Sequence, residues 1–337
     1  MNKKYHIYGM GNALVDFEIE TTVEQLNRLS IEKGVMTLID EQRQDDLFKE
    51  FKNNRHSRAC GGSAANTIIA AQSLGSHCFY SCKVASDETG IFYKDDLINQ
   101  GVETNLTTEQ LQQGITGKCL VLVTDDADRT MNTFLGITGD ISYEQINETV
   151  LKDSHYLYIE GYLASSPVAL SAAIKAMDFA KNNGVKTVFS LSDPNMVRFC
   201  REGLDGIIGD GVDLLFCNLD EAMAFSNSTT LDEAVLYLSK ISKSLVITLG
   251  AKGALLVQAG KRITIAGHEV EAVDTNGAGD LFAGSFLNAL ASEYSFEQAG
   301  QLASFASAQL VTQFGPRLND ENQTVVVEYM NKLKTSL

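Results

Sequence analysis

Positive charge is in short supply in this chain. Across 337 residues, 27 lysines and arginines stand against 43 aspartates and glutamates, a net charge of −16. That balance excludes the broad basic face needed to hold a nucleic-acid polymer or an anionic membrane. It does not exclude a nucleotide, because local amides and one or two cations suffice for a triphosphate. Proline is scarce (3) and 44% of residues are hydrophobic, so the composition is not that of a disordered chain. No apolar run reaches membrane-spanning length. The five histidines lie far apart, without the spacing of a zinc site. The six cysteines, Cys60, Cys78, Cys82, Cys119, Cys200 and Cys217, form no C-x-x-C pair, and no charged-then-apolar leader precedes the first strand-like run. The expectation is a cytoplasmic enzyme with reduced thiols. Two nucleotide signatures are also missing. There is no Walker A loop, and Leu14 stands where a dinucleotide fingerprint begun at Gly9-x-Gly11 needs its third glycine.

What is present is an alternation of strand-like and helix-like runs. Strands are expected at Tyr5–Met10, Cys78–Val84, Tyr156–Glu160, Lys186–Leu191, Val212–Cys217 and Leu245–Leu249. Helices are expected at Ala64–Leu74, Tyr93–Asn99, Pro167–Lys181, Gly279–Leu290 and Phe296–Gln313, the last two closing the fold. Gly75 and Asn183-Gly184 are helix-stop signals, and Pro167 is a start signal. The alternation implies an α/β class fold, a mostly parallel, doubly wound sheet between two helical layers. Two segments break the pattern, Leu14–Ile39 and Lys118–Leu135, the second with a turn at Asp125-Asp126-Ala127-Asp128. They read as a small antiparallel sheet, a lid over a single domain, built from about 13–45 and 115–137.

The most informative stretch is Asp274-Thr275-Asn276-Gly277-Ala278-Gly279-Asp280, where a polar turn feeds an apolar helical run. Bare amides at a helix N-terminus attract anions, phosphate above all. Asp280 could simply complement the helix dipole. Yet Gly277 and Gly279 cost helix stability, which suits a backbone that must approach something closely. A carboxylate beside bound phosphate suits a base that takes the proton of an attacking alcohol. Asn218 and Glu221 follow an apolar strand. They form a capping-box pattern, and they also lie at the strand edge where ligands bind and where Glu221 can hold Mg²⁺ through water. Gly61-Gly62-Ser63-Ala64-Ala65-Asn66 is either a tight turn with close helix packing or a lid hinge, with Asn66 offering donor and acceptor to a substrate hydroxyl. Asp16 is either solvated or an acceptor for paired sugar hydroxyls. Thr248-Leu249-Gly250-Ala251-Lys252-Gly253 is a hairpin turn or an ATP-side loop. Arg129 in the lid is a surface ion-pair partner or a phosphate clamp.

Taken together, D-T-x-G-A-G-D, the glycine pair with downstream Asn66, and N-x-x-E at Asn218–Glu221 resemble the ribokinase-like (PfkB) family of sugar and nucleoside kinases over nearly the whole chain. Gly9-Met-Gly-Asn-Ala-Leu-Val-Asp16, Gly61-Gly62-Ser63-x-x-Asn66 and Leu191-Ser-Asp-Pro194 are most similar to its adenosine kinase branch. The resemblance implies ATP and Mg²⁺, with Asp280 as catalytic base and the amides of Gly277, Ala278 and Gly279 as an anion hole. It implies that Asn218, Thr248, Gly250 and Gly253 serve ATP and that Glu221 serves Mg²⁺. Asp16, Gly62 and Asn66 would hold sugar hydroxyls, Asn12 and Ser63 would lie near a base if the acceptor is a nucleoside, and Arg129 would reach the substrate from the lid. It also implies a monovalent cation, K⁺, in the neighbourhood of Asp274 and Gly315. The expected partner is a nucleoside such as adenosine, accepting phosphate at its 5′-hydroxyl, or a free sugar, and the chain would act as monomer or homodimer. The rivals are a nicotinamide-dependent oxidoreductase, opposed by Leu14, and a nucleotide sensor without turnover, which would have no need of Asp280.

Overall fold

The structure is a computed structural model that describes residues 3–52, 54, 56–107, 109, 111–126 and 129–335. Fourteen strands lie among the described residues. They are β1 (Tyr5–Met10), β2 (Leu14–Glu20), β3 (Met36–Leu38), β4 (His56–Gly61), β5 (Cys78–Ser81), β6 (Glu103–Thr104), β7 (Gly117–Val123), β8 (Arg129–Phe134), β9 (Ser154–Glu160), β10 (Lys186–Ser190), β11 (Val212–Asn218), β12 (Ser242–Thr248), β13 (Ala254–Gln258) and β14 (Lys261–Ile265). Nine form one sheet in the order β14-β13-β12-β11-β10-β9-β1-β5-β6. All its pairs are parallel except the two terminal hairpins, β12–β13 and β13–β14. The central strands are apolar on both faces because helices cover both. One core packs Ile68, Phe282 and Phe286 against one face, and another packs Ala173, Met177 and Leu204 against the other. Burying a side chain such as Phe286, which is 0% exposed, stabilises by about 1.5–3 kcal/mol.

The helix Ser63–Ser73 ends at Leu74, and Gly75 then turns the chain at φ +107°. The helix Pro167–Asn182 starts on a Ser166 cap with proline in its first turn. Several helices were not anticipated, Val23–Arg28, Glu41–Glu50 and Arg201–Ile208 among them, and the last of the chain changes how the fold ends. Asp320–Thr335 follows Phe296–Leu310 and packs against it, so the fold closes on three helices, with Ala278–Ala291 the first of them.

The second sheet has five strands in the order β3-β8-β7-β2-β4. It corrects the expectation of an antiparallel lid. The pairs β2–β7 and β3–β8 are parallel, and only β2–β4 and β7–β8 are antiparallel. A third stretch also contributes, because β4 pairs with β2 and leads directly into the Ser63–Ser73 helix. Parallel pairing follows from connectivity, since β2 and β7 are separated by a long excursion through the main body and need no tight turn. The helices Val23–Arg28 and Glu41–Glu50 cover one face of this sheet, burying Leu26 and Leu47 with Leu120 and Leu122. In the expected Asp125–Asp128 turn, Ala127 and Asp128 lie outside the described residues. No helix among the described residues is long and apolar enough to cross a membrane. All six cysteines are free thiols.

Candidate active site

Strand order decides where a ligand can sit. From β1 the chain winds one way to β5 and β6, and later the other way from β9 through β12. The crevice at the carboxyl ends of β1 and β9 is therefore a topological switch point. A cavity of about 380 Å³ opens there, between the main sheet and the second sheet.

One end of the cavity is the start of the helix Ala278–Ala291. Thr275, Asn276, Gly277, Ala278, Gly279 and Asp280 all line it. Gly277 is the N-cap at φ +75°, and a Cβ on it would stand 2.7 Å from Pro316 Cβ. The Ala278 N–H has a long bond to the Thr275 carbonyl (3.3 Å), while no acceptor among the described residues closes on the N–H groups of Gly277, Gly279 or Asp280. These are the orphan donors of a first helical turn, turned toward open space. A Cβ on Gly279 would meet nothing within 4 Å. Gly279→Ala is therefore expected to leave the melting temperature unchanged or higher, since alanine favours a helix by about 0.5–1 kcal/mol. If the turn cradles phosphate as the resemblance implies, the added methyl would crowd it and lower kcat/KM for ATP by about tenfold or more. Parallel melting and steady-state kinetics check both halves.

Asp280 extends from that turn to the floor of the cavity. Its Oδ1 accepts a hydrogen bond from Ser63 Oγ (2.6 Å) and its Oδ2 one from Asn66 Nδ2 (3.2 Å). Withdrawal from water raises its pKa to about 6, and the bonds from Ser63 and Asn66 limit the rise. Asn66 Oδ1 is buried without a partner among the described residues, an acceptor left over for a ligand hydroxyl.

Asn12, Asp16, Gly62, Ser63 and Asn66 line the same cavity, Ser63 and Asn66 in contact with Asp280. The Asp16 carboxylate accepts no hydrogen bond among the described residues, and burial lifts its pKa to about 7. Gly61 exists to make room for it, because a Cβ there would fall 2.2 Å from Asp16 Oδ2. Gly62, at φ +97°, lies against the Asn12 carbonyl, which a Cβ would meet at 2.3 Å.

For Asn218 and Glu221 the structure shows the helix cap. Asn218 Oδ1 accepts from the Glu221 N–H (2.8 Å), and the Glu221 carboxylate accepts from the Asn218 N–H (3.0 Å) and Nδ2 (2.7 Å), a complete capping box. Both residues also line the cavity, as does Thr248 at the end of β12. Burial raises the Glu221 pKa to about 7. Among the described residues no lysine or arginine lines the cavity, and no three His, Cys, Asp or Glu side chains group as a metal cage. That donor set fits Mg²⁺, which keeps its waters and rests on phosphates plus one carboxylate.

Four other expected residues lie off the cavity wall. Gly250 and Gly253 form the β12–β13 turn at φ +59° and +92°, and a Cβ on Gly253 would stand 2.1 Å from the Ile265 carbonyl oxygen. Arg129 extends from β8 and donates to Glu18 Oε1 (2.8 Å) and to Asp274 Oδ2. Asp274 is buried, and its carboxylate also accepts from the N–H groups of Asn276 (2.9 Å) and Gly315 (2.8 Å).

Several cavity residues were not foreseen. Glu160, 0% exposed at the end of β9, accepts from the Asn12 N–H (2.7 Å) and the Ala64 N–H (2.7 Å), so it clamps the segment after β1 to the start of the Ser63–Ser73 helix. Burial raises its pKa to about 7 against those two bonds. A polar residue ending an apolar strand was the signal, as at Asn218. Tyr162, Ser190, Ser192 and Met196 also line the cavity, and Arg317 donates to the Cys60 carbonyl (2.7 Å) behind the Gly61-Gly62 turn.

Asp16, Glu160 and Glu221 titrate near 7 and Asp280 near 6 in the folded protein, well above the unfolded values of about 3.9–4.3. The folded state thus binds these protons more tightly. The stability that this affords is full below about pH 4 and is lost as pH rises through 6 to 7. The ligand-free protein should melt at least ~2 °C lower at about pH 7.5 than at about pH 5, roughly 1 kcal/mol for a chain of this size. If Asp280 is the base that the resemblance implies, activity should run the other way, rising as it ionises. Calorimetry beside a kcat/KM profile checks the opposition, and a melting temperature that rises with pH over this window would contradict it.

The family model for pfkB carbohydrate kinases matches residues 35–323. A ribokinase from Haemophilus influenzae is 30% identical over 281 residues, covering 81% of this chain and 87% of that protein. An adenosine kinase from Saccharomyces cerevisiae is 26% identical over 336 residues, covering 93% and 96%. The crystal structure of adenosine kinase from Sinorhizobium meliloti superposes with a TM-score of 0.90 at 33% identity, over 96% of this chain and 99% of that one.

Proposed function

The chain belongs to the pfkB carbohydrate kinase family, hence is a phosphotransferase with a hydroxyl acceptor, and we propose that it phosphorylates the 5′-hydroxyl of a nucleoside, adenosine first, with Asp280 as base. The observation that carries this reading is the Asp280 carboxylate standing beside unbonded first-turn amides in one cavity. The acceptor hydroxyl would lie against Asp280. The transferring phosphoryl group would rest on the N–H groups of Gly277 and Gly279, joined by that of Ala278 once it leaves its long bond to the Thr275 carbonyl. As the new O–P bond forms, Asp280 takes the hydroxyl proton and the bond to the leaving ADP oxygen breaks. Positioning and charge stabilisation carry most of such a reaction, so late proton transfer to a carboxylate suffices. Mg²⁺, when bound near Glu221, supplies shielding of the phosphate charge. Asn218 and Thr248 face the ATP side.

The nucleoside assignment draws on the walls. Asp16 and Asn66 offer free acceptors to a ribose diol. Beyond them Leu14, Met36, Leu38, Met131 and Leu135 make an apolar surface fit for a flat base, which a free sugar would leave wet. A sugar acceptor is the second reading, favoured by Glu160, a further carboxylate on the cavity floor. A panel of adenosine, inosine, guanosine, ribose and fructose with ATP and Mg²⁺ separates them. A nucleoside should exceed every free sugar by about tenfold or more in kcat/KM. A sugar in first place would overturn the nucleoside assignment, and no turnover of any acceptor would overturn the assigned role of Asp280.

A further inference from the structure

The cation expected beside the anion hole does not fit the residues that would hold it. Its site would be built on Asp274 and Gly315. The Asp274 side chain is 1% exposed and already surrounded by donors: Oδ1 accepts from the Asn276 N–H, and Oδ2 from the Gly315 N–H and the Arg129 guanidinium. Gly315 presents its N–H to that carboxylate, the wrong end of a peptide for a cation. The N–H groups of Val273 (2.7 Å) and Asp274 (3.1 Å) both close on the Val311 carbonyl, using an oxygen that a cation would otherwise find. The Arg129 guanidinium is itself a full positive charge in contact with Asp274, and a second cation at the same carboxylate would be repelled.

Arg129 and Glu18 both belong to the second sheet, on β8 and β2, whereas Asp274 opens the loop that runs into Gly277. The arginine side chain is 10% exposed, so the pair is screened little by solvent. We propose that Arg129, reaching from the lid onto Asp274, stands in for the monovalent cation and holds the loop that leads into the anion hole, so that this enzyme needs no K⁺. Arg129 is then a positioning residue acting through Asp274. The charge that orders the anion hole arrives with the lid, which ties lid position to the geometry of the phosphate cradle.

The inference rests on the kinase reading for its rate measurements, so the test has a second readout independent of turnover. Melting temperature and initial rate are measured in equal concentrations of potassium chloride and choline chloride for the wild type, Arg129→Gln and Arg129→Lys. Wild type should show no difference in melting temperature and less than a twofold difference in rate between the salts. Arg129→Gln should lose about 10- to 100-fold in kcat in choline, as a displaced cradle would. It should recover several-fold in potassium, with a matching rise in melting temperature. Arg129→Lys, which keeps the charge, should lose less and respond less to potassium. A wild type that potassium stabilises or activates several-fold over choline overturns the proposal. So does an Arg129→Gln loss confined to KM for ATP that potassium fails to reverse, because Arg129 would then be a phosphate ligand. If Arg129→Gln does not fold, the wild type and Arg129→Lys decide alone. If no acceptor turns over, the melting data still report whether K⁺ binds.

Discussion

Asp280→Asn is expected to lower kcat by about 10²–10⁴-fold while leaving the affinities for ATP and acceptor within several-fold. The change is isosteric and removes only the charge and the basic oxygen. An asparagine there can still meet its neighbours, accepting from Asn66 Nδ2 and donating to Ser63 Oγ, which now bond to Asp280. The variant should also be no less stable than wild type, and more stable above about pH 6. Burial already pushes the Asp280 pKa up to about 6, which means that the folded protein holds the ionised carboxylate at a cost. A large loss of turnover with an equal or higher melting temperature separates a chemical role from a structural one. A merely dipole-complementing aspartate would give the reverse, a small loss of stability and near-normal turnover.

Gly277→Val should fail differently, in both fold and phosphate handling. Gly277 caps the helix at φ +75°, a region that costs an L residue about 1–2 kcal/mol and a β-branched one more. Its Cβ would also stand 2.7 Å from Pro316 Cβ, 2.8 Å from Pro316 Cα and 2.9 Å from the Pro316 carbonyl oxygen. Backbone cannot rotate away as a flexible side chain can, so overpacking adds about 1–3 kcal/mol. The melting temperature should fall by roughly 5–10 °C. Because the helix start must move, kcat/KM for ATP should fall by about 100-fold or more. Gly277→Ala should lie between Val and wild type on both scales. Melting curves and nucleotide titrations by calorimetry check this, and a valine variant with normal ATP affinity would show that the amides of this turn do not carry phosphate. Gly279→Ala is the contrasting control, one residue pair away and without the strain.

Much of this was legible in the sequence where a local pattern carries its own physics. Asp274–Asp280 announced a helix N-terminus, found with unbonded amides, and Asn218 with Glu221 announced a cap at a strand edge. Both patterns act within one turn, so spacing alone exposes them. Alternating apolar runs likewise foretold the parallel sheet, because strands buried on both faces are apolar throughout. Pairing over long separations left no such trace. Nothing local in β2 says that it will lie parallel to β7 and antiparallel to β4, so the mixed lid was read as antiparallel. Arg129 and Asp274 are 145 residues apart, and their contact follows only from how the lid sits on the body. The helix Asp320–Thr335 was missed because its first run, Asp320–Thr324, is polar throughout and its apolar residues begin only at Val325. It is stabilised by packing on Phe296–Leu310 rather than by its own pattern. Glu160 was overlooked because a lone acid at the end of a strand belongs to no motif. Its work, joining the amides of Asn12 and Ala64, exists only once β1, β9 and the Ser63–Ser73 helix are brought together.

The central claim is that the amides opening the Ala278–Ala291 helix and the Asp280 carboxylate face one migrating phosphoryl group. A crystal structure with adenosine, ADP, Mg²⁺ and aluminium fluoride would test it most directly. The account predicts the fluoride group in hydrogen-bond contact with the N–H groups of Gly277 and Gly279, and the adenosine 5′-oxygen in contact with Asp280. Fluoride held elsewhere, or Asp280 turned away from the 5′-oxygen, would contradict it.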